Sequence, residues 1–220
     1  EIADGKPDLV LQRALFERFG FRTWLREVSE MSGAEGAPAQ ADAPQKQVSV
    51  PQKRKASAIL TQDALRKLIA GLDAADLVGF DTECVGMEPL NARLVGMSFA
   101  FGEEAYYLPL AHEYPAAPPQ VALASALDML KPWLEREDRR KVGENVKFDL
   151  HLLANHGLRL AGCTDDTLLE SYVLEVHERH DLGALAQRHC GWSTIGYDEL
   201  TGKGAARIPF SAVSIERATA

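Results

Sequence analysis

Between Ser29 and Ala56 the chain has no aromatic residue, and Pro38, Pro44 and Pro51 punctuate a run of Ala, Gln, Gly and Ser. Such a segment has almost nothing to bury against the cost of ordering it, so it reads as a flexible linker. That one feature divides everything else. A folded domain has to lie in 57–220, and 1–28 must be a separate piece. Leu9, Leu11, Leu15, Phe16, Phe19 and Trp24 recur there at roughly helical spacing, with Gly20 interrupting. So short and apolar a piece cannot bury itself and is expected to pack on something outside this chain. The Lys53-Arg54-Lys55 cluster reads either as a solvated linker end or as a contact for a phosphate backbone.

From Ser57 onward the pattern is regular. Thr61 or Asp63 is placed to cap a helix carrying Leu65, Leu68, Ile69 and Leu72. Leu77–Phe80 reads as a short strand leading into Asp81-Thr82-Glu83. Leu94–Phe101 and Ala105–Leu110 read as two more, joined by a hairpin-length Gly102-Glu103-Glu104. A helix follows Pro118-Pro119, and Lys141–Gly143 is a short strand. Asn145 is placed to cap a helix to about His156, and Leu158–Cys163 reads as a strand. Asp165 or Asp166 caps the next helix, and helical stretches follow at 181–190 and from Ser211 onward. Strands come first and then alternate with helices, which predicts an α/β fold on a mixed sheet flanked by helices. With 46% hydrophobic and 25% charged residues, the composition excludes a wholly disordered chain. No apolar run approaches the ~18 residues of a membrane span. Three scattered cysteines make no disulfide framework and point to a reducing cytoplasm. The net charge of −8 argues against a general nucleic-acid clamp, though not against a nuclease built on carboxylates.

The strongest local signal is Phe80-Asp81-Thr82-Glu83. On a strand, residues i and i+2 share a face, so Asp81 and Glu83 project together. Two carboxylates so placed repel unless a proton or cation joins them, and all-oxygen sites suit Mg²⁺ or Mn²⁺. Alone, the pattern equally fits a polar strand end turning into solvent. Asn145-Val146-Lys147-Phe148-Asp149 is the second signal: Asn145 and Asp149 share a helix face at i and i+4. Taken singly, it also fits an N-cap followed by a solvent-facing acid. The histidines and cysteines do not build a zinc site. There is no Cys-x-x-Cys, and His151 and His156 are badly spaced. Gly202-Lys203-Gly204 lacks phosphate-loop spacing.

Taken together, Phe80–Glu83, Leu94–Ala100, Lys141–Asp149, Asp166–Tyr172, Arg179–Leu182 and Gly202–Gly204 resemble the 3′–5′ exonuclease domain of bacterial DNA polymerase I, in the correct order. By the same resemblance, 1–28 looks like the end of a preceding 5′-nuclease domain. The resemblance implies a ribonuclease H-like fold and a proofreading exonuclease with two divalent ions, Mg²⁺ or Mn²⁺, about 3.5–4 Å apart. Asp81 and Glu83 would be ligands on the nucleophile side, and Asp149 would support the second ion, partly through water. The resemblance puts Asn145, Met87, Phe148, Arg179 and Tyr197 on the substrate. Asn145 would position the terminal nucleotide. Met87 would lie against its base, Tyr197 near the frayed strand and Arg179 on a phosphate. For Met87, Tyr197 and Arg179, ordinary packing or a solvated surface is the competing account.

The implied partners are a DNA 3′ end and a polymerase domain of the same parent chain. Nothing points to a membrane or a homo-oligomer. The family's third motif, a Tyr followed four residues later by an Asp, falls past Ala220, so the sequence is expected to be a piece of a longer polymerase. An exoribonuclease of the same superfamily and a non-catalytic domain stay open as alternatives.

Overall fold

The computed structural model describes residues 7–31 and 55–219. The chain divides into two units, one within Glu1–Gln47 and the other within Val48–Ala220. Most of the expected linker lies outside the described residues. Its two ends are regular instead: Ser29–Met31 close a helix, and Lys55–Ala58 form a strand.

The first unit is a helical hairpin. Helix α1 (Leu9–Phe19) is capped by the Asp8 carboxylate and ends at Gly20 in the left-handed region; α2 (Arg22–Met31) follows. The rings of Phe16, Phe21 and Trp24 pack at centroid distances of 5.0–6.1 Å, and Val28 is buried.

The second unit is built on six strands: β1 (Lys55–Ala58), β2 (Val78–Val85), β3 (Arg93–Phe101), β4 (Glu104–Pro109), β5 (Lys141–Gly143) and β6 (Cys163–Asp166). Their order is β1-β4-β3-β2-β5-β6. The β2–β3 and β3–β4 pairs are antiparallel, while β1–β4, β2–β5 and β5–β6 are parallel. Parallel neighbours need long crossovers. Helix α3 (Gln62–Ala74), whose N-cap is Thr61, lies in the connection from β1 to β4, α4 (Leu123–Leu134) in that from β2 to β5 and α5 (Val146–Ala154) in that from β5 to β6. Chain order continues with α6 (Thr167–Leu174), α7 (Leu182–Leu185), α8 (Tyr197–Thr201) and α9 (Ile215–Thr219). The mixed sheet flanked by helices is the α/β architecture expected from the sequence.

One face of the sheet carries the main core. Phe80, Phe99 and Trp133 meet at centroid distances of 5.5–6.5 Å, against Leu65, Leu68 and Leu72 of α3. The Trp133 indole donates to the Leu72 carbonyl at 3.2 Å, so its one polar atom is satisfied. The other face has a smaller cluster of Val95, Tyr107, Phe210 and Val213. Among the described residues no helix is long and apolar enough to cross a membrane.

Three local expectations are corrected. Leu158–Gly162 is not a strand; pairing begins at Cys163. The Ala161 amide donates to Leu134, and its carbonyl takes the Lys141 ammonium at 2.8 Å, so neither group can join a ladder. The helix expected at 181–190 is one α-helical turn, α7, followed by a π turn over Ala186–Cys190. The C-terminal stretch is a 3₁₀ turn at Phe210–Ala212 before α9, not one continuous helix.

Candidate active site

Strand β2 alternates as the sequence requires: Val78, Phe80 and Thr82 are buried toward the core, while Asp81 and Glu83 turn to the other face. A groove of about 460 Å³ runs along that face, lined among others by Gly79, Asp81, Ser98, Ala100 and Glu144. Immediately after Glu83 the β2–β3 register shifts: Glu83 pairs with Gly96, but Cys84 pairs with Leu94. Such a bulge bends the strand and re-aims its side chains. Gly96 is required here. A Cβ on it would lie 2.1 Å from the Tyr107 hydroxyl, which crosses β3 at that point.

The third carboxylate arrives from the side. Strand β5 pairs with β2 only through Val78 and Gly79, which leaves the rest of that edge open. There the first turn of α5 brings in Asp149, which is 2% exposed. Its Oδ1 accepts the Thr82 hydroxyl. The middle residue of Asp-x-Glu therefore tethers the acid of the second motif, a role invisible to a reading that counts only the carboxylates.

Electrostatics show that the three acids feel one another. Burial raises Asp81 from its ordinary value to about 6. Glu83 is pushed up to about 8, by burial first and then by the charges of Asp81 and Asp149. Asp149 is raised to about 7 by burial and by Asp81, with the Thr82 hydrogen bonds pulling the other way. Such groups favour protons or a cation over bare negative charge. Among the described residues, no three His, Cys, Asp or Glu side chains stand close enough to hold an ion as they are. The donor set nonetheless has the chemistry for a hard divalent ion, being all carboxylate, with Asp149 buried and Asp81 and Glu83 half-buried, and short of countercharge.

Behind Glu83, Tyr107 donates to His112 Nε2 at 2.6 Å, and His112 Nδ1 bonds the Val213 carbonyl at 2.8 Å. A carbonyl only accepts, so Nδ1 carries the proton and Nε2 accepts from Tyr107. Burial lowers the His112 pKa and keeps the ring neutral. This staple fastens the 3₁₀ turn beneath the bulge.

The residues expected on the substrate fall in different places. Asn145 is exposed at the start of α5 with φ 56° and ψ 43°, and its side chain makes no cap bond. The expected Asn145 cap is thus corrected. Asp166 instead accepts the amides of Asn145 itself and of Val146, the first residue of the helix, at 3.1 and 2.9 Å. Phe148 is half-buried against the main core. Met87 is 90% exposed in the loop after β2. Tyr197 begins α8 with its ring stacked on Phe210, and Glu83 is among the charges that act on its hydroxyl. Arg179 pairs with Asp181 at 2.9 Å. The sequence reading missed Glu144, which lines the groove and is raised by burial and by Asp81.

The chain belongs to the 3′–5′ exonuclease family, whose model matches residues 56–214. Within that class it is similar to DNA polymerase I of Pseudomonas aeruginosa, with 36% identity over 219 residues. That match covers 97% of this chain and 23% of the polymerase. The chain therefore spans about a quarter of that relative's length. Among solved structures it is similar to the POL domain of Pol1 from M. smegmatis in complex with DNA primer-template and dNTP. The TM-score is 0.52 at 19% identity, over 62% of this chain and 23% of that one. Escherichia coli RNase D, an exoribonuclease, gives a TM-score of 0.50 at 18% identity, over 66% and 36%. These likenesses show the fold, which is ribonuclease H-like, as the sequence resemblance implied.

Proposed function

We propose that this chain carries the proofreading 3′–5′ exonuclease of a bacterial DNA polymerase I and removes nucleoside 5′-monophosphates from a DNA 3′ end. The observation that carries the proposal is the convergence of Asp81, Glu83 and Asp149, from a strand and a separate helix, with all three pKa values raised. Asp81, Glu83 and Asp149 would hold two divalent ions, Mg²⁺ or Mn²⁺. When bound, such ions lower the pKa of a water molecule and neutralise charge on the leaving oxygen. In the reaction, a water oxygen bonds to the terminal phosphorus and the bond to the neighbouring O3′ breaks. The strand is left one nucleotide shorter.

The remaining residues bind and orient. Asn145 offers an amide to the terminal nucleotide, and Phe148 supports it from the same turn. Met87 presents an apolar side chain to the base. Tyr197 offers a ring on which an unpaired base can stack, a contact worth about 1–3 kcal/mol. Arg179 offers a guanidinium to a phosphate of the incoming strand, in exchange for Asp181.

The test is digestion of a 5′-labelled single-stranded DNA by the parent polymerase in Mg²⁺, with chelator and RNA controls. Asp81→Ala should abolish the ladder of shortened products while the protein stays folded, since the change loses a ligand but relieves repulsion. Near-normal digestion by the folded variant would overturn the metal assignment. Preference for the RNA would transfer the site to exoribonuclease chemistry.

A further inference from the structure

Asp166 is used in a way that its own helix does not explain. It ends β6, in register with Gly143. Its Oδ1 accepts the Leu168 and Leu169 amides at 3.0 and 3.3 Å, an ordinary N-cap for α6. The same oxygen also accepts the Asn145 amide at 3.1 Å, and Oδ2 accepts Val146 at 2.9 Å. One carboxylate therefore serves the first amides of two helices, and for α5 it reaches across from a neighbouring strand.

The consequence lies at Asn145. An Asn at an N-cap ordinarily turns its side chain back onto its own helix, because the first amides there have no intrahelical partner. Here Asp166 holds the amides of Asn145 itself and of Val146, and the Asn145 side chain makes no cap bond despite holding the cap position. Its backbone is held in the left-handed region, which Asn tolerates better than most residues. The turn so fixed is the one that presents Asp149 to Thr82.

We propose that Asp166 is a positioning residue for the exonuclease site: by holding the backbone amides of Asn145 and Val146 it pins the left-handed entry to α5, sets the turn that carries Asp149 and leaves the Asn145 side chain, which makes no cap bond, turned to substrate. This rests on the function proposed above. Residues that hold metal ligands in place are typically worth 10–100-fold in metal affinity or activity.

Two substitutions separate the duties. Asp166→Ser keeps a hydroxyl able to cap α6 locally but is too short to reach α5. Asp166→Asn keeps one full-length acceptor oxygen for the Asn145, Leu168 and Leu169 amides but sets an NH2 group against the Val146 amide. In the full-length protein, Asp166→Ser should weaken Mn²⁺ binding 10–100-fold and lower kcat by a similar factor. Amide exchange should accelerate at Asn145 and Val146 but not at Leu168 and Leu169. Asp166→Asn should recover part of both losses, with exchange staying fast at Val146, whose amide then faces the NH2 group. A role confined to stability would lower the melting temperature of Asp166→Ser and leave Mn²⁺ affinity, kcat and KM of the folded protein within twofold; that result would overturn the proposal. Absence of Mn²⁺ binding and of digestion in the unsubstituted protein would instead defeat the exonuclease assignment. In that event, unchanged exchange at Asn145 and Val146 in Asp166→Ser would defeat the capping as well.

Discussion

At the scale of single residues, the site is an electrostatic conflict held in place by packing. Asp81, Glu83 and Asp149 are all raised above their ordinary values. In the unfolded chain these acids ionise near pH 4; in the folded chain they resist until about 6 to 8. Between those limits the folded state holds more protons than the unfolded state, so metal-free stability must fall as pH rises. Asp81 alone, moved from 3.8 to about 6, costs the fold on the order of 3 kcal/mol above that pH. Glu83→Gln should therefore melt at a higher temperature than the unsubstituted protein at pH 8 in chelator. The gap should narrow toward pH 5, where Glu83 is already protonated in the fold. Added Mn²⁺ should raise the melting temperature of the unsubstituted protein much more than that of Glu83→Gln. A metal-free melting temperature that is flat or rising from pH 5 to pH 8 would contradict this assignment of the conflict.

At the scale of elements, short pieces are fixed by borrowed partners. Strand β5 has three residues, and Lys141 at its start is fully buried. Its ammonium donates to the carbonyls of Arg136, Arg139 and Ala161 at 3.3, 2.9 and 2.8 Å, and lies 4.3 Å from the Trp133 ring centroid. Burial pushes its pKa down to about 8. These bonds tie the end of α4 to the approach to β6, and so hold the strand from which α5 departs. Lys141→Met fills similar space but leaves carbonyls without a donor, at a cost of about 1–3 kcal/mol for each one that water cannot reach. Urea unfolding should show a loss of at least 2 kcal/mol. A smaller change would mean that water replaces the ammonium.

At the scale of the whole molecule, the fold sets which DNA ends can be cut under the proposed function. The carboxylates lie on a sheet face and at its edge, beside a groove, so a terminal nucleotide has to enter unpaired. Each base-pair step opened costs about 1.4 kcal/mol, roughly tenfold in rate. Mismatched or single-stranded 3′ ends should therefore be shortened at least tenfold faster than matched duplex ends, measured on labelled primers of equal length. Equal rates would count against proofreading. With a net charge of −8, the chain gives DNA little general attraction, so the preference has to arise at the site.

The sequence by itself determined what depends on local pattern. Alternation placed Asp81 and Glu83 on one face of a strand, and turn chemistry placed the β3–β4 hairpin at Gly102; the helical spacing of Asn145 and Asp149 put Asp149 near the start of α5 but not Asn145, which stands outside the helix in the left-handed region. What it could not supply were partners distant in the chain. Thr82 reads as a spacer until α5 is packed against the open edge of β2. Asp166 reads as the cap of its own helix until β6 lies beside β5. Leu158–Gly162 reads as a strand until its backbone groups are claimed by Leu134 and Lys141. Each of these outcomes turns on a hydrogen bond between residues 20 or more positions apart. Periodicity reports which face a residue occupies; only the closed tertiary structure decides which donor meets which acceptor across that face.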